Sequence, residues 1–125
     1  MAPGFDRDPA PGGPVVQGFS GAGFLVDGKV CRALLLTPES AREWDPPALA
    51  DLGLDDLADL LRLEPAPEFL ILGTGPVMAF PPRPLVRALE EKGIGVEAMD
   101  SRAAARTWGM LRAEERWIAA AIMPL

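Results

Sequence analysis

In the second half of the chain, three strand-length segments, at residues 69–72, 95–99 and 117–123, the first and last wholly apolar, alternate with two amphipathic segments at residues 82–92 and 101–112. Runs of four to seven apolar residues are strand-length, while apolar spacings of three and four mark one face of a helix. This alternation restricts the chain to an α/β layer with parallel strands and right-handed crossovers. The run Phe69-Leu70-Ile71-Leu72 has no polar member, as expected of a strand covered on both faces, and it stops abruptly in Gly73-Thr74-Gly75-Pro76. Pro82 or Pro84 opens the first helix and Gly93 is its C-cap; Asp100 or Ser101 caps the second. Leu85, Val86 and Leu89 form the inward face of the first helix, and Ala104, Trp108 and Leu111 that of the second.

The first half reads as antiparallel. Residues 15–19 are one strand; residues 24–26 and 30–36 are two more, joined by Asp27-Gly28, a strong hairpin signal. A hairpin in front of a parallel unit makes the sheet mixed. Residues 46–63 place leucines three and four apart among aspartates, which spells one acidic amphipathic helix or a pair broken at Gly53, ended by Pro65 and Pro67. Residues 1–14, rich in proline and glycine, read as a disordered tail, leaving residues 15–125 as a single domain.

Composition removes whole classes of chemistry. The chain has 125 residues, no histidine, no tyrosine and one cysteine, Cys31. Histidine-based triads, histidine metal sites, phenolic acids and cysteine-rich zinc sites are therefore excluded. Cys31 falls inside a predicted strand with no histidine to act as its base, so it reads as a buried, inert thiol. The net charge of −6 argues against nucleic acid as a partner. Residues 1–70 carry five bases and twelve acids, whereas residues 71–125 carry seven bases, six of them arginine, and six acids. No apolar stretch is long enough to span a membrane. With one free cysteine and no export signal, a bacterial cytoplasm is expected.

The candidate ligand site lies where Gly73, Thr74 and Gly75 meet the start of the second helix at Asp100, Ser101, Arg102 and Arg106. Loops at strand carboxyl ends form crevices, and helix N-termini attract anions. A small carboxylate or phosphate would take backbone N–H groups, the Thr74 and Ser101 hydroxyls and the two arginines. On the competing reading the glycines make a tight turn, Asp100 or Ser101 only caps, and Arg106 pairs with Glu114 or Glu97. The candidate partner site is Trp44, in Glu43-Trp44-Asp45-Pro46, which is either a lid over the core edge or an anchor for another protein. No catalytic residue, metal site or cofactor is assigned.

Several of these segments are familiar together. Leu72-Gly73-Thr74-Gly75, Gly93-Ile94-Gly95-Val96-Glu97-Ala98-Met99-Asp100-Ser101, Ala103-Ala104, Arg106-Thr107-Trp108 and Glu114-Glu115-Arg116 resemble a family of small Mth-type domains. That family includes the mitochondrial complex I assembly factor three and the adipogenesis-associated Mth-domain protein. The resemblance runs over residues 15–123. It implies a three-layer α/β sandwich with a mixed sheet, two main C-terminal helices and a β-hammerhead-like N-terminal half. It implies no catalytic activity, but an interaction or assembly role with protein partners such as membrane-complex subunits or insertion machinery. Two departures stand out: Ser101 replaces the family's frequent threonine, and Trp108-Gly109 replaces its Tyr-Asn pair. A small-anion-binding protein or cryptic enzyme using the Gly73–Gly75 crevice is the alternative.

Overall fold

The computed structural model describes residues 13–125 and builds two sheets. Strands β1 (Gly18–Ser20), β2 (Gly23–Val26) and β3 (Lys29–Cys31) form an antiparallel side sheet. The β2–β3 turn is the expected Asp-Gly: Asp27 and Gly28 have φ of 51° and 79°, the left-handed pair that a two-residue hairpin needs. The main sheet has the order β5-β4-β8-β6-β7 and uses β4 (Leu34–Thr37), β5 (Ser40–Glu43), β6 (Phe69–Gly73), β7 (Gly95–Met99) and β8 (Ala119–Ile122). β6 runs parallel to both β7 and β8, while β4 is antiparallel to β8 and to β5. The sheet is mixed, as expected.

Alternate residues of the central strands feed two separate cores. Leu34, Leu36, Ile71, Ala120 and Ile122 face α3 (Ser101–Ala113) and the side sheet, where they meet Trp108, Ala104 and Phe24. Leu35, Leu70, Leu72, Ala119 and Ala121 face α2 (Arg83–Glu91) and the leucine-rich segment before β6. The domain is thus a three-layer α/β sandwich with the side sheet where the hammerhead was expected. Every residue of β8 is buried, and its run of alanines keeps the sheet's centre thin enough for layers on both faces.

Several boundaries differ from the sequence reading, each for a physical reason. The single strand expected over residues 30–36 is two, because the chain bends at Arg32-Ala33 and passes from one sheet to the other. The Arg32 N–H then finds Glu43 Oε2 at 2.9 Å instead of a ladder partner. The strand expected over residues 15–19 begins only at Gly18, although Gln17 N–H still donates to Leu25 O at 2.7 Å. β5 was not expected; three of its four residues are exposed, so this edge strand carries no apolar alternation. The leucine segment is not a regular helix. It forms 3-10 turns at Leu49–Asp51 and Leu54–Leu57, then a single α-turn, α1 (Ala58–Leu61). Leu54, Leu57, Leu60 and Leu63 recur every three residues, the 3-10 period, and Gly53 N–H is held by the Asp56 carboxylate at 2.9 Å. The last strand starts at Ala119 and not at residue 117, where Trp117 N–H donates to the Glu68 side chain.

Candidate functional site

β6 ends at Gly73, where a side chain would be tightly crowded. A Cβ at that position would lie 3.0 Å from Ala104 Cβ and Ser101 Oγ, and 3.1 Å from Ile122 Cγ2. The glycine lets α3 lie directly on the sheet. Gly75 has φ of +113°, a conformation that L side chains rarely adopt. Between them, Thr74 N–H donates to Met99 O at 2.8 Å, tying the loop to the end of β7.

Asp100 and Ser101 divide the start of α3 between two tasks. Asp100 is the N-cap: its Oδ1 accepts from Ala103 N–H at 2.9 Å. Ser101 is fully buried. Its hydroxyl donates to Met123 O at 2.7 Å and accepts the Gly75 N–H at 2.8 Å, while its own N–H donates to Gly75 O at 2.8 Å. One side chain therefore ties together the β6 loop, the helix start and the end of β8.

The structure brings Gly73, Thr74, Gly75, Asp100 and Ser101 together and leaves the two arginines apart from that knot. The Arg102 guanidinium lies over the Phe19 ring of the side sheet, 5.5 Å from its centroid. Arg106 is exposed, and among the described residues it pairs with neither Glu114 nor Glu97. An anion entering this crevice would have to displace hydrogen bonds that already satisfy the Gly75 N–H and the Ser101 hydroxyl.

Thr74 points the other way and organises a loop. Its hydroxyl donates to Val77 O at 2.8 Å, with Met99 O a second acceptor at 3.2 Å, and it accepts from Ala79 N–H at 3.1 Å. These bonds turn residues 77–80 outward. Val77, Met78 and Phe80 are 68%, 47% and 84% exposed, a cluster of large apolar side chains in water. Phe80 also walls a groove that runs along the outer face of α2. Sequence reasoning missed this patch because the stretch has no periodicity. The available signal was Val77, Met78 and Phe80 in a proline-bounded loop after a glycine turn.

Trp44 is half-buried. It packs against the leucine core, and its indole N–H donates to Ile122 O at 3.2 Å. Cys31 is buried, and its thiol is pushed up from its ordinary pKa, first by that burial and then by Glu43, with Lys29 opposing. At neutral pH it is a protonated thiol. No helix among the described residues is long and apolar enough to cross a membrane.

Fold and site together define a class: a three-layer α/β domain whose strand-end polar groups are bonded to one another and which displays an apolar loop. Residues 16–123 match the family described as Protein of unknown function (DUF498/DUF598), and the chain belongs to that family. An uncharacterized protein of Rhodobacter capsulatus is 34% identical over the whole of this chain and 94% of its own length. The zebrafish protein named NADH dehydrogenase (ubiquinone) 1 alpha subcomplex assembly factor 3 is 31% identical, covering 92% of this chain and 67% of the relative. A solution structure from Bordetella pertussis, titled a Mth938-like domain, superposes with a TM-score of 0.76 at 31% identity, covering 95% of this chain and 90% of that one. The chain spans 60% of the length of the Xenopus tropicalis assembly factor that it also matches. The Xenopus and zebrafish relatives are both named as assembly factors.

Proposed function

We propose that the protein is a non-enzymatic assembly protein that holds a protein partner during biogenesis of a membrane or respiratory complex, and that it works in the cytoplasm. The observation that carries this reading is the apolar loop of Val77, Met78 and Phe80, fixed by Thr74 and left in water. Exposed aromatic and aliphatic side chains on a fixed loop are the usual anchors of protein interfaces. The names of the assembly-factor relatives support the same reading. The Ser101 knot supplies rigidity beneath the loop. Trp44, whose N–H is spent on the sheet, fits the lid reading better than the anchor reading.

The test is affinity capture from the source organism with tagged parent, Phe80→Ser and Trp44→Ala proteins, read by mass spectrometry. A membrane-complex subunit or insertion factor recovered with the parent and lost with Phe80→Ser is the expected result. Equal recovery by parent and Phe80→Ser, with both folded, refutes the surface assignment. Loss only with Trp44→Ala moves the anchor to Trp44.

A further inference from the structure

The groove beside the loop has a charge order that the apolar patch does not explain. Phe80, Pro81, Arg83, Val86, Arg87 and Glu90 line a volume of 480 Å³, within the range of roughly 300–1,000 Å³ of clefts that hold ligands. Val86 is half-buried at its floor. Arg83 and Arg87 stand four residues apart on α2, both exposed, and among the described residues neither forms an ion pair or a side-chain hydrogen bond. On a chain with eighteen acids and twelve bases, two neighbouring arginines that form no ion pair, although Glu90 lines the same groove, are conspicuous.

The helix macrodipole does not account for them. α2 has no acidic residue in its first turn and no basic residue in its last. Arginines at its start and Glu90 and Glu91 at its end oppose the helix macrodipole at both ends. Their planar guanidinium forks, exposed on the groove and unpaired, are suited to carboxylates. The chain's overall negative charge is screened beyond about 8 Å at physiological salt, so local pairing decides.

We infer that the groove binds an extended acidic protein segment, with an apolar side chain on Phe80 and Val86, carboxylates on Arg83 and Arg87, and no acid at the Glu90 end. This rests on the assembly reading and names the partner's chemistry. An anionic membrane would also attract the arginines, but a concave groove with a carboxylate in its lining suits a segment with side chains more than a flat lipid surface.

The test selects a phage-displayed library of random peptides on the full chain, then measures the enriched peptides by fluorescence polarisation. Enrichment of Asp or Glu next to Leu, Ile, Phe or Trp is expected, with affinity falling about tenfold in Arg83→Gln/Arg87→Gln and in Phe80→Ser. Arg87→Lys, which keeps the charge, retains part of the binding. Vesicles containing phosphatidylserine are expected not to bind. No enrichment, enrichment without acids, or affinity indifferent to both arginines overturns the inference, as does vesicle binding lost in Phe80→Ser. If affinity capture depends on Phe80 but not on the arginines, only this inference fails. If capture ignores Phe80, the assembly surface fails with it.

Discussion

Ser101→Ala removes one oxygen and leaves two buried partners without a bond. In the parent protein the Ser101 hydroxyl donates to Met123 O at 2.7 Å and accepts the Gly75 N–H at 2.8 Å, with the serine itself fully buried. Gly75 and Met123 are also buried, so water does not readily replace the lost oxygen. An unsatisfied buried polar group costs about 1–3 kcal/mol, and two such groups, with some relaxation, cost about 2–5 kcal/mol. For a domain of this length about 1 kcal/mol moves the midpoint by roughly 4 °C, so the variant melts roughly 8–20 °C below the parent. Urea unfolding gives the free energy, and hydrogen exchange at the Gly75 amide reads the broken bond directly. Added phosphate distinguishes the knot from an anion site: it is expected to shift neither protein's midpoint specifically. A loss below about 0.5 kcal/mol with the Gly75 amide still protected would refute the reasoning, since such a value is ordinary for an unimportant surface change. Stabilisation of the parent alone by phosphate would refute it from the other side, by making Ser101 a ligand contact.

Other expectations follow from single contacts. Gly73→Ala pushes a methyl against Ala104, Ser101 and Ile122, none of which is a long side chain able to swing away, and should cost about 1–3 kcal/mol by urea unfolding. Trp44→Phe loses the indole bond to Ile122 O and should cost about 1 kcal/mol while leaving partner capture unchanged. Glu68 is held below its ordinary pKa chiefly by its hydrogen bonds from the Arg116 side chain, with a further one from the Trp117 N–H. Because the folded value is the lower one, this contribution is present above the unfolded pKa of about 4.3 and is lost as pH falls through the folded value. The urea midpoint should therefore fall less steeply on acidification in Glu68→Gln than in the parent; parallel curves would rule the linkage out.

The parallel half of the fold was legible because each local signal agreed with its neighbours. The apolar run at residues 69–72, the Pro82 and Pro84 start of α2, the Gly93 stop and the Asp100 cap all fall at or within a residue or two of the observed boundaries. The antiparallel half was harder for physical reasons. β5 is an exposed edge, the 30–36 run changes sheets at Arg32, and leucines three apart suit a 3-10 turn as well as a helix. The crevice residues were identifiable as a cluster, since a glycine turn after one strand and a cap after another must meet when the strands are parallel neighbours. Whether their polar atoms faced inward or outward was not, because that depends on Met123 O, which lies 22 residues from Ser101. The residue 77–80 loop has no period, and its exposure depends on the Thr74 hydroxyl bonds to Val77 O and Ala79 N–H, which no local pattern encodes.

Photo-cross-linking in living cells from position 80 tests most directly the claim that this loop is the partner surface. The chain would carry Phe80→p-benzoylphenylalanine, compared with the same replacement at Trp44 and at Val30, a 49% exposed residue on the side sheet. A discrete protein adduct from position 80, absent from positions 44 and 30, is the result expected. An adduct from position 44 or 30 with none from position 80 would contradict it.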